Sequence, residues 1–136
     1  ALACHFRFAA SNALLGFPEI DHGVLPGLGG PYRATQLIGR GPATELLLSG
    51  RLVRGEEAAA IGLADRAAPR AEIREQGITF LRSLTSNRTP TQIRTVMTSI
   101  HNATRLPYQQ ALLLESRLFH DLAVTWKKRD HTKAPA

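Results

Sequence analysis

The sequence contains a single cysteine, Cys4, among its 136 residues. One thiol cannot form an intramolecular disulfide or a multi-thiolate metal cluster, so both are excluded. The absence of disulfides is typical of reducing compartments, which favours an intracellular protein. Uninterrupted apolar stretches are also short, as at 46–48 and 111–114, whereas a membrane-spanning helix needs about 20 apolar residues. We therefore expect a soluble, cytoplasmic protein that does not associate with membranes.

Several catalytic signatures are missing. The sequence has no Gly-x-Ser-x-Gly elbow of the kind that carries a hydrolase serine, and no phosphate-binding P-loop. Its histidines are not spaced to converge on one metal ion, so we predict no metal site. The histidines are His5, His22, His101, His120 and His131.

The size and composition are those of an ordinary globular domain. A chain of this length buries roughly 65–70% of the surface that its unfolded form exposes, and 43% of the residues are hydrophobic. The formal net charge is +6, and part of the excess lies in Lys127, Lys128, Arg129 and Lys133. This basic tail would attract nucleic acid, anionic lipid or phosphorylated ligands, but it is equally consistent with a solubilising end.

Short segments separated by glycine and proline fill the chain up to Pro69. Strands are predicted at alternating patterns and short apolar runs, and helices are predicted where a segment stops at a glycine. The stretch 23–31 has too many glycines for a regular element, so we predict a loop leading into the first helix. The predicted elements are strands at Cys4–Ala9 and Leu14–Ile20, helices at about Pro31–Ile38, Pro42–Ser49 and Glu56–Ile61, and a strand at Leu63–Ala67.

Beyond Pro69 the pattern predicts amphipathic helices. Apolar residues recur at three- and four-residue steps over 73–84, interrupted by Gly77, which weakens a helix. The stretch 89–92 then supplies an N-cap threonine, a first-turn proline and a capping-box glutamine. After a break at 106–107, a last apolar stripe is typical of a core or a subunit interface. The stripe consists of Tyr108, Ala111, Leu112, Leu118, Phe119, Leu122 and Trp126.

Five motifs occur in a specific order in the first half of the chain. They are Ala1–Cys4, Gly16-Phe-Pro-Glu-Ile20, Gly23-Val-Leu-Pro-Gly-Leu-Gly-Gly30, Leu47-Leu-Ser-Gly-Arg51 and Ala58-Ala-Ala-Ile-Gly-Leu63. Their order and spacing resemble the crotonase superfamily, which is the enoyl-CoA hydratase/isomerase family. Its members have an apolar ALAC-like segment, a Gly-x-Pro-Glu strand end, a Gly-x-x-Pro-Gly-x-Gly-Gly loop and a Leu-Thr-Gly-like turn.

The resemblance covers the carboxy-terminal part of such a protein and carries expectations about the fold. It implies an α/β structure, the carboxy-terminal portion of a crotonase (ClpP/crotonase) spiral fold followed by amphipathic helices. Within it we expect a partial crotonase core at 1–69, a helical oligomerisation region at 70–126 and a basic flexible tail at 127–136.

The resemblance also implies an active site. Glu19 matches a catalytic carboxylate that moves a proton at the alpha or gamma carbon of an acyl-CoA thioester. Its apolar neighbours in the sequence would partly desolvate it, which suits an acid/base residue. Phe17, Leu25, Pro26 and Gly27 are the candidate substrate-binding residues. No cofactor is implied beyond the acyl-CoA substrate, and the expected assembly is a homotrimer or hexamer.

Two functions stay open at this point. In the family the thioester enolate is held by two backbone N–H groups, and the resemblance assigns these donors and another catalytic glutamate to segments that would precede Ala1. The chain is then either part of an enzyme for enoyl-CoA hydration or double-bond isomerisation, or a noncatalytic truncated crotonase that acts as an oligomerising or RNA/partner-binding module. A lone carboxylate favours isomerisation, because one base can remove and return the same proton.

Overall fold

The computed structural model describes residues 1–130, with side chains as far as Trp126. The chain divides into two compact units, Ala1–Phe80 and Leu81–Ala136. The charges of the predicted basic tail, 127–136, lie outside the described side chains. No helix in the described part of the chain is long and apolar enough to cross a membrane.

Short strands and helices alternate in the first unit. In chain order they are strand β1 Phe8–Ala10, strand β2 Leu14–Gly16, a 3₁₀ helix Pro18–His22, helix α1 Gly30–Ile38, helix α2 Arg40–Ser49, strand β3 Leu52–Arg54, helix α3 Gly55–Ala60, strand β4 Arg66–Ala68 and helix α4 Ile73–Thr85, which continues past the unit boundary. Gly39 and Gly50, with φ of 78° and 63°, end α1 and α2. These two helix ends confirm the prediction, because glycine adopts positive φ without steric cost.

The strands of the described residues form two small sheets. Strands β1 and β4 are parallel, with Ala9 opposite Ala67, whereas β2 and β3 are antiparallel. Helix α3 starts directly after β3, and a Cβ added at Gly55 would overlap the carbonyl oxygen of Ala10 in β1. Glycine is therefore required where α3 crosses the parallel pair.

The predicted strand Leu14–Ile20 is wrong in its second half. Strand β2 ends at Gly16, and the chain then turns into the 3₁₀ helix. Pro18 has no N–H for a strand ladder, and its fixed φ suits the first turn of a helix. Gly23, at φ 69°, ends that turn. Strand β3 carries no sequence signal of its own, because three residues are too few to show alternation.

Arg7 anchors the chain immediately before β1. Its backbone N–H donates to a carboxylate oxygen of Asp65 at 2.5 Å, and its Nε donates to the carbonyl of Leu63 at 2.9 Å. The guanidinium also forms an ion pair with Asp65 at 3.2 Å. Because the Arg7 N–H bonds a side chain, regular strand pairing begins at Phe8, later than the predicted strand Cys4–Ala9.

Small side chains dominate the core of the first unit. The buried cluster consists of Ala9, Phe17, Ala34, Ala43, Leu46, Val53, Ala58, Leu63 and Ala64. Because alanine side chains are small, the helices and sheets approach each other closely, and the interior is filled without large interdigitating side chains. Leu46 and Val53 are the largest side chains that are fully buried.

Arg51 joins α2 to α3 at the surface of the first unit. Its guanidinium donates to the carboxylate of Glu57 at 2.6 Å and to that of Glu45 at 2.8 Å. The hydrogen bond with Glu57, followed by the one with Glu45, raises the pKa of Arg51. All three side chains face solvent, so the cluster orders the segment between the helices rather than contributing strongly to stability.

The described part of the second unit is a pair of helices, α5 Pro90–Arg105 and α6 Tyr108–Asp130, preceded by the end of α4. The predicted cap is confirmed, since Thr89 Oγ1 accepts from the Gln92 N–H at 3.2 Å and Gln92 Oε1 accepts from the Thr89 N–H at 2.7 Å. No residue of α5 is buried, nor is any residue of α6 as far as Trp126. Large exposed apolar side chains on these helices are Val96, Ile100, Tyr108, Leu112, Leu113, Phe119, Val124 and Trp126.

Candidate active site

Glu19 lies on the 3₁₀ helix that follows strand β2. Pro18 occupies the first turn of this helix, and the left-handed Gly23 ends it by donating its N–H to the carbonyl of Ile20 at 3.0 Å. The next N–H, from Val24, donates to the Glu19 carbonyl at 3.2 Å. A proline start and a glycine stop thus hold the Glu19 backbone in one short turn at the end of a strand.

A pocket of about 430 Å³ lies beside this turn. It is lined by Glu19 together with three of the predicted substrate-binding residues, namely Phe17, Pro26 and Gly27. Phe17 and Pro26 are buried and give the pocket an apolar wall. Leu25, the fourth predicted residue, does not line the pocket and is 78% exposed.

One oxygen of the Glu19 carboxylate has an unusual environment. Oε2 is buried and accepts no hydrogen bond from the described residues. Leaving a buried carboxylate oxygen unpaired costs about 1–3 kcal/mol or more, so native proteins seldom keep one without a functional reason. The pocket is therefore lined by a carboxylate that keeps one buried oxygen without a hydrogen bond from the described residues.

Glycine-dependent packing shapes the apolar wall formed by Phe17 and Pro26. A Cβ added at Gly30, where α1 begins, would lie 3.1 Å from Cβ of Pro26 and 3.4 Å from the ring of Phe17. Gly30 thus lets the start of α1 approach the loop and the aromatic ring more closely than another residue would. The glycine-rich stretch forms a loop as far as Gly29, and helix α1 begins at Gly30, one residue before its predicted start at Pro31.

Arg33 and Leu28 also line the pocket, although the sequence did not mark either as a site residue. Arg33, exposed in the first turn of α1, is the one cationic side chain among the lining residues. Its position one turn into a helix that follows a glycine-rich loop is a signal that could have identified it. Leu28 also lines the pocket, and its backbone has φ 54°. No local pattern predicts a leucine in that conformation.

Neither a histidine nor a metal-ligand cluster is found among the described residues that line this pocket. His22, at the end of the same 3₁₀ helix as Glu19, is exposed and is not among the pocket-lining residues. Among the residues that the structure describes, no group of three or more His, Cys, Asp or Glu side chains is arranged to hold a metal ion. Glu19 is thus the one carboxylic acid among the residues that line the pocket, and Arg33 is the one cationic side chain among them.

Comparison with known proteins defines the family. The family model for enoyl-CoA hydratase/isomerase matches residues 1–134. A probable enoyl-CoA hydratase of Mycobacterium bovis is 34% identical over 125 residues, which are 92% of this chain and 48% of that protein. A short-chain-enoyl-CoA hydratase of Clostridium acetobutylicum is 29% identical over 130 residues, which are 96% of this chain and 49% of that protein.

The fold agrees with the sequence relationship. The crystal structure of an enoyl-CoA hydratase from Bacillus anthracis matches with a TM-score of 0.81 and 30% identity, over 99% of this chain and 54% of that one. The chain therefore belongs to the enoyl-CoA hydratase/isomerase family of the crotonase superfamily, and its structure is a portion of the α/β crotonase fold, as its motifs predict. It spans about half the length of the relatives that it matches.

Proposed function

We propose that the pocket beside Glu19 binds an acyl-CoA thioester and that Glu19 transfers a proton at the substrate, in double-bond isomerisation or hydration of an enoyl chain. The observation that carries this proposal is the buried, unpaired Oε2 of Glu19 within a pocket walled by Phe17 and Pro26. A carboxylate with a free acceptor oxygen beside an apolar wall can face the C–H bond of a hydrocarbon chain.

The proposed isomerisation uses one carboxylate for both proton transfers. Glu19 removes a proton from the alpha carbon of a 3-enoyl thioester, and the electron pair of that C–H bond delocalises onto the thioester oxygen as an enolate. The protonated Glu19 then returns the proton to the gamma carbon, and the double bond moves into conjugation with the carbonyl. Hydration would require a second group to activate water, and Glu19 is the one carboxylate among the residues that line the pocket, so we propose isomerisation for Glu19 acting alone and hydration for Glu19 acting with a second group.

The enzyme that we propose needs residues beyond those of this chain. Enolate chemistry requires preorganised donors at the developing oxyanion, and each such donor is typically worth about 10²- to 10³-fold in rate. The resemblance assigns both donors to segments outside this chain. Glu19 and the apolar wall are therefore proposed as one part of a composite site. The acyl-CoA is the substrate, and we propose no further cofactor.

We also propose that helices α5 and α6 contribute to a homotrimer or hexamer. Large apolar side chains on these helices are exposed, with Phe119 at 75% and Trp126 at 61%. Monomeric proteins rarely expose apolar surface in large contiguous patches, so such side chains are commonly covered by another subunit. A cytoplasmic location, expected from the cysteine content, stays a prediction.

The proposal is tested by replacing the carboxylate in the polypeptide as its source produces it. Glu19→Gln keeps the size of the side chain but removes its ability to accept a proton, so we expect isomerase or hydratase turnover to fall by about 10²- to 10⁴-fold. Glu75→Gln is the matched control, because Glu75 is exposed on α4 and lies outside the pocket. Equal turnover by wild type and Glu19→Gln would exclude the role proposed for Glu19. A wild-type product that binds RNA and leaves every acyl-CoA unchanged would instead favour the noncatalytic module.

A further inference from the structure

Leu28 has an unfavourable backbone conformation. Its φ is 54°, and among the described residues it is the one non-glycine residue with a positive φ. The left-handed region brings the Cβ of an L-residue close to the following carbonyl, so glycine, asparagine and aspartate are favoured there and a bulky aliphatic residue is uncommon. Leu28 follows Gly27 and precedes Gly29, which itself has φ 77°. The loop thus places a large aliphatic side chain where the backbone disfavours it.

The Leu28 side chain gains nothing from packing within its own unit. It is 102% exposed, in contrast to Leu46 and Leu63 of the core, at 1% and 2%. Neither the conformation nor the burial of residue 28 explains an aliphatic side chain, because a polar αL-tolerant residue would satisfy the loop equally well. Backbone strain at a pocket-lining position points to a function rather than to stability.

The position of Leu28 identifies what would cover it. Leu28 lines the same pocket as Glu19, with the buried Pro26 two residues before it in the loop. A hydrocarbon ligand is the natural partner of an exposed aliphatic side chain, since its contact removes apolar surface from water. In an acyl-CoA thioester, the acyl chain beyond the reacting carbons is such a hydrocarbon, whereas the nucleotide end is charged.

We propose that Leu28 is a specificity-determining residue that contacts the acyl chain and favours long-chain over short-chain enoyl-CoA substrates. This inference rests on the proposed function of the Glu19 pocket. A chain that extends past the reacting carbons covers Leu28, and a short chain leaves it in water. The left-handed conformation places Leu28 among the pocket-lining residues and outside the buried core of the unit.

The test compares two substitutions in the full polypeptide as its source produces it. Leu28→Asn keeps the branched shape and the number of side-chain heavy atoms and suits a positive φ, but it removes the apolar contact. Leu28→Met keeps the apolar contact. For decenoyl-CoA we expect Leu28→Asn to lower kcat/KM roughly tenfold, mainly through KM, as a lost hydrocarbon contact typically does. Crotonyl-CoA turnover should stay at the wild-type level, and Leu28→Met should resemble wild type on both substrates.

Two controls keep this inference separate from the proposed function. Leu48→Asn changes another exposed leucine, at 70% exposure on α2 and outside the pocket, and should leave the chain-length preference unchanged. Thermal melting should show Leu28→Asn to be at least as stable as wild type. An equal loss on both substrates, no loss on either, or a change in assembly mass would overturn the role of Leu28. Full turnover by Glu19→Gln would overturn the proposed function itself, whatever the Leu28 variants do.

Discussion

The two units of the chain handle their apolar residues in opposite ways. In the first unit, alanines together with Leu46 and Val53 form a buried cluster under short helices and strands. In the second unit, α5 and α6 bury no residue as far as Trp126, although both helices carry many large apolar side chains. Helical stability in proteins comes mostly from packing of the apolar face. The first unit therefore has an interior of its own, whereas the helix pair presents a surface suited to a partner.

The contrast also separates the two roles that we propose for the chain. The pocket with Glu19 is built entirely from first-unit residues, on turns fixed by proline and glycine. None of the residues that line that pocket belongs to the helix pair. The proposed catalytic and assembly roles can therefore be tested by different substitutions.

Breaking the tight interior of the first unit should have the largest effect. In Gly55→Ala, the new Cβ overlaps the carbonyl oxygen of Ala10. Because this oxygen belongs to the backbone and not to a flexible side chain, the backbone must move. Overpacking of this kind typically costs about 1–3 kcal/mol, and we expect the upper end. Thermal or urea unfolding measures the loss. Gly41→Ala is the matched control, because a Cβ there meets no atom within 4 Å. Equal stability of the two variants would contradict the close crossing of α3 over β1.

Removing apolar surface from the helix pair should change assembly rather than folding. Phe119 is 75% exposed on α6, so Phe119→Ser gives up little packing within the unit. If Phe119 lies at a subunit interface, the substitution weakens association by about 1–3 kcal/mol, in the range of an interface aromatic. Light scattering or sedimentation at several concentrations reports the mass. Arg117→Ser on the same helix serves as control. Unchanged mass together with a lower unfolding temperature would indicate that Phe119 supports the unit itself.

The start of α5 offers a smaller test of the helix pair. Thr89→Ala removes the acceptor of the Gln92 N–H and one half of the capping box. Loss of such a cap costs about 0.5–2 kcal/mol. Thr91→Ala, two residues into the helix and without a capping role, should cost less. Amide hydrogen exchange along the first turn of α5 measures the effect locally, and faster exchange in Thr91→Ala than in Thr89→Ala would contradict the cap.

The smallest expected effect comes from a substitution of Gly77 in α4. Gly77 lies in the interior of this helix, and a Cβ there would be 3.9 Å from the ring of Phe8, an ordinary contact distance. Gly77→Ala should therefore stabilise the chain by about 0.5–1 kcal/mol, because alanine loses less backbone entropy than glycine. The midpoint of chemical unfolding measures the gain. A lower midpoint would mean that the first unit cannot accept one added methyl beside Phe8.

Local signals accounted for much of the fold. Gly39 and Gly50 mark the ends of α1 and α2, and the Thr89 cap marks the start of α5, because each feature acts within one helical turn. Strand β3 depends on pairing with β2, which so short a segment does not reveal. The 3₁₀ helix at Pro18–His22 was missed because Pro18 lies within the apolar run that predicted a strand. The order of the motifs identified Glu19 and its neighbours as a candidate site. The conformation of Leu28 follows from closure of its loop, so no sequence pattern predicts it.

Proton transfer by Glu19 is the central proposal. Exchange of the alpha proton with solvent reports that transfer directly. Butyryl-CoA has no double bond to hydrate or move, so incubation with the full polypeptide in D₂O isolates proton removal, and NMR detects deuterium at the alpha carbon. We predict exchange with wild type and with Glu75→Gln, and exchange slower by about 10²-fold or more with Glu19→Gln. Exchange at the wild-type rate in Glu19→Gln would contradict the central claim.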